Sequence, residues 1–345
     1  MRLGTFILRR LLLLIPVLLG VSIIVFVLMG FSGDRWTAYT TSDHPSQKQI
    51  WAIEEKYHLN DSTPVQYYYW INGVVHGDWG YSKTARAPVT EAIEKRFPVT
   101  FELALVSTFI AIFVGVTIGT ISAIKRNKPI DHVVRFVALI GVSIPIFWLA
   151  LLLLQTFYLN LGLAPLGGRI SWEYDPNNPL SSNPIEPVTN FYLIDSLLMG
   201  DLHIFLDVVW HLMLPSICLS FGTIAILTRI MRSSMLEVMN MDYVKTARAK
   251  GLPERIVLKK HARRNALIPT TTVMGLAFAG LLSGAVITES IFGLRGLGKW
   301  STDALLNNDQ AAILGFTMLI AITVVLANLI VDIMYAFLDP RVKLE

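Results

Sequence analysis

Residues 11–31 read LLLLIPVLLGVSIIVFVLMGF, a run without a single charge. A helix crossing a hydrocarbon core needs about 20 apolar residues, so this run already makes lipid the solvent for part of the chain. Five further stretches are long and apolar enough to do the same: 103–124, 136–164, 208–228, 266–288 and 311–331. The reading is an all-α polytopic membrane protein with six transmembrane helices. Composition agrees, since only 16% of the 345 residues are charged, against about 25% in soluble domains. That inventory cannot cover a water-facing surface, which excludes a cytosolic enzyme and a disordered regulator. A secreted disulfide scaffold is excluded as well, because Cys218 is the only cysteine.

A signal peptide is the competing reading of the first run, with Arg2, Arg9 and Arg10 as its basic head. Such a peptide has an apolar stretch of roughly 7–15 residues ending at small residues. This one is longer and continues into GFSGDRW, so it reads as an uncleaved span. Orientation follows from the basic residues. Nineteen of the 29 Lys and Arg residues fall in the N-terminal tail, 125–135, 229–265 and the C-terminal tail; the rest are spread over the longer segments 31–98, 165–207 and 290–310. Both termini are therefore expected in the cytoplasm. The net charge of +4 is a topology signal and not a nucleic-acid footprint.

The division that results is 1–31 as a cytoplasmic tail and first span and 32–98 as an external segment. A five-helix core over 99–335 contains the cytoplasmic loop 229–265, and 336–345 is a second cytoplasmic tail. The segment 32–98 contains two helix-like pieces, SQKQIWAIEEKYHL and TPVQYYYWING, the second with Thr63 as N-cap, Pro64 at the first helical position and Gly73 at its end. The segment 165–207 contains DPNNPLSSNPIEPV, whose prolines forbid a regular helix and predict an ordered extended loop. Six acids against Arg169 alone give it a negative face. These segments either dock an external partner or merely cap the membrane domain.

The loop 229–265 carries ten basic residues against Glu237, Asp242 and Glu254. Its stretch MDYVKTARAKGLPERIVLKKHARRNALIP reads as two short helices, with Asp242 as N-cap, Gly251 in a left-handed turn and Pro253 opening the second. A loop lying on anionic headgroups accounts for the charge but not for the helix–Gly–helix construction. A DNA-binding pair of helices is disfavoured by its confinement between two spans. A rigid short helix offered to a soluble partner fits best.

In GLRGLGKW, Gly293 to Trp300, the glycines and Lys299 match most of a phosphate-binding loop, yet Trp300 stands where Ser or Thr must hold magnesium. The segment is read as a glycine-rich turn after the fifth span, with Glu289, Gly293, Gly296 and Gly298 as gate or path residues. Glu102, His211, Glu289 and Asp332 are ionisable groups near span ends, where they reach water or a partner. Thr270, Thr271, Thr272 and Ser283 either line a polar path or bond their own helix backbone. No spacing of His, Cys, Asp and Glu suits a metal, no nucleophile–base pair suggests hydrolysis, and no cofactor is expected.

The loop DYVKTARAKGLPERIVLKKHARRNALIP resembles the cytoplasmic "EAA" loop of binding-protein-dependent ABC importer permeases, in the dipeptide/oligopeptide/nickel branch. RRLLLLIPVLLGVSIIVFVLM, GDWGYSKTARAPVTEAIEKRFPVTFELAL, SIPIFWLALLLL, LIDSLLMGDL, HLMLPSICL, GLLSGAVITESIFGLRGLGKW and LDPRVKLE are similar to that branch in the same order. Where the wider family has Glu-Ala-Ala, this chain has Lys245, Thr246 and Ala247, as the peptide branch does. The resemblance implies a type I importer permease that pairs with a second, homologous permease subunit as a heterodimer. Two cytoplasmic ATPase subunits hydrolyse the ATP, so this chain is not itself an enzyme, and an extracytoplasmic solute-binding protein delivers cargo. It implies that Asp242, Tyr243, Val244, Lys245, Thr246, Ala247, Arg248, Ala249, Lys250 and Gly251 dock into an ATPase subunit. Ala247 and Ala249 would allow close approach, and Arg248 and Lys250 would meet acids. The cargo it implies is a hydrophilic solute, short peptides first, with oligosaccharides or nickel as alternatives. An ion-coupled carrier would need mid-span charges or inverted repeats, and neither is evident.

Overall fold

The computed structural model describes residues 3–31, 35–40 and 45–338; within these, side chains at 3–8, 10, 29, 31, 272, 283, 284 and 330–338 lie outside the description. The first apolar run forms α1 (Leu3–Phe31), and the last forms α14 (Gln310–Leu338). Between α1 and the second span lie α2 (Gln47–Lys56) and α3 (Thr63–Val75). Ser46 and Gln49 close a reciprocal capping box on α2. In α3 the N-cap is Ser62 and not Thr63, so Pro64 falls at the second helical position; Gly73 lies inside the helix, which runs on to Val75. A short hairpin, β1 (Tyr81–Ser82) with β2 (Ala87–Pro88), is the only sheet among the described residues.

The second apolar stretch is the C-terminal part of a longer helix, α4 (Val89–Ile124). The fourth is part of α8 (Leu202–Met239). At 1.5 Å per residue these measure roughly 54 and 57 Å, well beyond the ~30 Å hydrocarbon core. Charged residues at their ends lower the local hydropathy without breaking the helix, which is why hydropathy alone clips both.

The third apolar stretch is not one span-long helix. It divides into α5 (Pro129–Ser143) and α6 (Ile146–Leu153), the latter continuing as a wider π-type turn over Leu154–Asn160. The two halves meet at 109°. Pro145 lacks an N–H and forces Ile144 into extended backbone (ψ 126°), ending α5.

The chain from 162 to 191 has neither helix nor strand, as its prolines dictate, and α7 (Tyr192–Leu198) returns it to α8. Asp201 caps α8, accepting from the N–H groups of His203 and Ile204 at 2.8 and 3.2 Å; those bonds hold its carboxyl below the usual range. After α8 come α9 (Asp242–Ala249), α10 (Glu254–Ile256), a π-type turn over Val257–Ala262 and α11 (Arg263–Gly284). The predicted second short helix is thus the start of the helical stretch that carries the fifth apolar run, bent by 42° between 271 and 273. The chain then forms α12 (Val286–Ile291) and α13 (Leu297–Leu306) before α14. Among the described residues, α1, α4, α8 and α14 are each able to cross a membrane by length and composition, and the count reaches six if each bent pair is one span.

The interior is built around α4 and α8. Gly115 and Gly119 form a GxxxG stripe on α4, where an added Cβ would stand 2.8 Å from the Leu227 Cβ and 2.6 Å from the Thr228 carbonyl oxygen. Small residues let membrane helices approach backbone to backbone, the main source of association where lipid offers no hydrophobic drive. Apolar clusters continue on either side of that seam. Met231, Met235, Ala262 and Ala266 lie toward the 229–265 loop. Leu103, Cys218, Leu281 and Phe292 lie further along, and Phe26, Trp70, Val89, Trp300 and Ala311 at the opposite end.

Candidate functional site

The first candidate is α9. Its start is supplied by Met241, whose extended backbone (ψ 148°) makes it the N-cap; Asp242 is the first helical residue, and its carboxylate pairs instead with Lys245 at 2.9 Å. An acid in the first turn still complements the helix dipole. The stop is as expected: Lys250 caps the helix and Gly251 adopts φ +77°, with nothing within 4 Å of a hypothetical Cβ. The constraint at Gly251 is therefore conformational and not steric.

Val244 and Ala247 are buried, packed with Val257 and Val238 of the same chain. The expectation that Ala247 faces a partner is corrected, because it faces home. Asp242, Tyr243, Lys245, Thr246, Arg248, Ala249 and Lys250 remain exposed. Arg248 is not a free cation either. Its guanidinium donates to Glu254 at 2.7 and 3.1 Å, which raises its pKa and ties α9 to α10 across the Gly251 turn. The result is a short helix fastened by two apolar residues and one ion pair, with a polar, mostly basic face directed outward.

The second candidate lies at the opposite end of the molecule and gathers residues far apart in sequence. Glu289, on α12, is fully buried. Its carboxylate accepts from the Thr100 hydroxyl (2.6 Å), from the Lys299 N–H (2.9 Å) and from the Gly298 N–H. Thr100 in turn accepts from the Leu297 N–H at 2.8 Å. The open N–H groups of the first turn of α13 are thus satisfied by a carboxylate and a hydroxyl from two other helices. Gly296 and Gly298 are required by this arrangement: a Cβ on Gly296 would lie 2.4 Å from the Glu289 carboxylate, and one on Gly298 only 2.6 Å from the Val286 Cα. Gly293 serves the backbone, at φ +64°. Glu289, Gly296 and Gly298 are brought together as one buried knot, with Gly293 in the adjoining turn. Trp300 is buried against the hairpin and donates its indole N–H to Ser82 at 3.2 Å.

Glu102 and His211, expected to reach water or a partner, are instead buried within the chain. Glu102 is buried and holds Arg169 at 2.6 Å, while also accepting from the Leu193 N–H. Arg169 stacks on the Tyr192 ring at 3.6 Å and donates to the Asn190 carbonyl. His211, also buried, contacts the Asp207 carbonyl at 2.9 Å. Thr270 and Thr271 bond the carbonyls of Ala266 and Leu267 in their own helix. The side chains of Thr272, Ser283 and Asp332 lie outside the described residues. No cluster able to hold a metal ion occurs among the described residues.

Thr100 and the contact of the Gly168 N–H with the Phe292 carbonyl (2.9 Å) were not foreseeable from the sequence. Arg169 was signalled, as the one cation in an acidic segment. Thr100 and Glu102, two residues apart on α4, hold α13 and the 162–191 segment respectively, so one helix anchors both layers at this end.

Residues 115–344 match the family described as binding-protein-dependent transport system inner membrane component, and residues 3–104 match its N-terminal membrane component. The dipeptide transport system permease protein of Escherichia coli K12 is 38% identical over 98% of both chains. The probable D,D-dipeptide transport system permease protein of the same organism is 37% identical, covering 95% of this chain and 94% of that one. An oligopeptide transport system permease protein of Bacillus subtilis is 38% identical over 99% of both.

Proposed function

The chain belongs to the inner-membrane component family of binding-protein-dependent transport systems, and from that membership we propose that it is one permease subunit of an ATP-driven importer of short peptides. It is a multi-pass inner-membrane protein. The bent pair α5–α6 and the stretch from α10 through α11, bent between 271 and 273, each count as one span, giving six with both termini in the cytoplasm. The division at 31, 98 and 335 expected from sequence is retained, with 99–335 as the core. A second permease subunit completes the path as a heterodimer, two ATPase subunits bind below, and a solute-binding protein delivers cargo from outside. Peptide cargo is supported by the similar proteins, which are dipeptide and oligopeptide permeases.

The observation that carries the mechanism is the build of α9. It has its own apolar anchor, an enforced left-handed stop at Gly251 and an outward polar face, as a rigid element seated in an ATPase groove requires. Closure of the ATPase pair would move α9, and α8 and α11 with it. Tyr243, Lys245, Thr246, Ala249 and Lys250 are the contact residues; Asp242 and Arg248 shape the helix; Val244 and Ala247 hold it to its own chain. Glu289, Gly293, Gly296 and Gly298 form the hinge side of an outer gate, fixing α13 against α4.

The test is Gly251→Val in the assembled complex in proteoliposomes. A left-handed backbone costs a β-branched residue about 1–2 kcal/mol, about a ten-fold loss in the population of the docked geometry. ATP hydrolysis should persist while peptide uptake falls. Unchanged uptake refutes the docking assignment.

A further inference from the structure

Asp131, in the first turn of α5, has a fully buried side chain, and four groups converge on its carboxylate. The Ser122 hydroxyl from the end of α4 donates at 2.6 Å, and the Asn127 N–H from the α4–α5 turn at 3.0 Å. Arg232 of α8 donates through Nε and Nη at 2.7 and 2.9 Å. One carboxylate thus joins the end of α4, the start of α5 and the part of α8 that leads, ten residues on, into α9. A two-pronged guanidinium–carboxylate contact fixes direction as well as distance, which a single ammonium bond does not.

The helices it joins have no free play beside it. A Cβ on Gly119 would stand 2.6 Å from the Thr228 carbonyl oxygen, one turn before Arg232. Further along α5, a Cβ on Gly141 would stand 2.9 Å from the Ala225 Cβ. Four residues beyond Gly141 is Pro145, where the third span turns by 109°. At that break the last carbonyls of α5 have no helical partner. Non-helical backbone at membrane depth is tolerated where it lines a watery cavity or is buried in protein.

We infer that Asp131 is a positioning residue for transport: through Arg232 it ties α5 to α8, so that displacement of α9 reaches the break at Ile144–Pro145. This rests on α9 being the element that the ATPase subunits move. The Asp131–Arg232 pair is then the link between that movement and the more sharply bent of the two broken spans, the one that turns by 109°.

The experiment uses the full complex in proteoliposomes, with radiolabelled dialanine as cargo. ATP hydrolysed per dialanine taken up is measured together with the KM and maximal rate of uptake, all per assembled complex. Asp131→Asn keeps the shape and removes the charge; Arg232→Lys keeps the charge and removes the fork, and it serves where the first variant does not accumulate. Asp131→Asn is expected to hydrolyse ATP at nearly the parent rate while maximal uptake falls about ten-fold, within the usual 5–150-fold range of coupling effects, with KM unchanged. Arg232→Lys should fall between. An unchanged ratio in the variant that assembles, or uptake and hydrolysis falling in proportion, overturns the inference. Gly251→Val separates the two readings. If it uncouples and Asp131→Asn does not, the link fails alone. If it leaves uptake intact while Asp131→Asn raises the ratio, the docking assignment fails and the inference falls with its premise.

Discussion

Gly296→Ala isolates the chemistry of the Glu289 knot. Gly296 has φ −89° and ψ −171°, backbone that any residue adopts, so the added methyl introduces no torsional strain. What it meets is the Glu289 carboxylate, at 2.4, 2.5 and 2.6 Å from its three heavy atoms. The carboxylate must leave, and it abandons the Thr100 hydroxyl and the N–H groups of Gly298 and Lys299 inside a dry interior. Each stranded donor costs about 1–3 kcal/mol, so a loss of about 3–6 kcal/mol is expected when part of the cost is relieved by rearrangement. At about 2 °C per kcal/mol for a chain of this size, that is a fall in melting temperature of roughly 6–12 °C. The assay is thermal unfolding of the detergent-solubilised protein, followed by loss of the monodisperse peak. Gly280→Ala is the control: nothing lies within 4 Å of its added methyl, and Ala in a helix interior gains about 0.5–1 kcal/mol over Gly. A second arm places Gly296→Ala in a Glu289→Ala background, where the methyl has room and should add almost nothing. The reasoning is refuted if Gly296→Ala melts within about 2 °C of the parent.

Four further outcomes follow from the contacts described. Arg169→Met strands the buried Glu102 carboxylate and should destabilise by about 3–5 kcal/mol, with limited proteolysis appearing first in 165–207. Tyr243→Ala, on the outward face of α9, should leave the melting temperature unchanged and weaken co-purification of the ATPase subunits, whereas Val244→Asp should lose both. Gly119→Val pushes into the Thr228 carbonyl and should sharply reduce the yield of folded protein in membranes. Glu254→Gln breaks an exposed pair, worth about 0–1 kcal/mol at most, and should move the melting curve by less than about 2 °C.

Much of the architecture is legible in the sequence, because hydrocarbon imposes its rules on composition. The ends of the chain are the simplest case: α1 and α14 are continuous apolar runs, and each forms one helix. Hydropathy was less informative for α4, whose early turns carry Glu91, Glu94, Lys95 and Arg96. The helix passes through them because polar side chains do not interrupt backbone hydrogen bonding. It was misleading for the third stretch. An averaged apolarity hides a single proline, although Pro145 was present in the sequence and, with Ile144, carries the whole 109° turn. At the candidate site Gly251 was readable, since a left-handed stop has a residue type attached to it. Which face of α9 turns inward was not, because Val244 and Ala247 find their partners at Val238 and Val257 only after the loop has folded back. The Glu289 knot was half readable. The glycines stood out, but their reason was a carboxylate held by a hydroxyl 189 positions away, and no local pattern encodes such a partner.

The seam between α4 and α8 has a geometric consequence. Both helices carry an internal proline, Pro98 and Pro215, and the glycine contacts clamp them together only beyond those points. A proline removes one rung of the helical ladder and is where bending concentrates. From Pro215 to Met239 is about 36 Å of helix at 1.5 Å per residue. Each degree of flexure at Pro215 therefore sweeps the far tip through about 0.6 Å, and the clamp obliges α4 to travel with it. About five degrees at one buried proline amount to a stroke of about 3 Å at the end that carries α9.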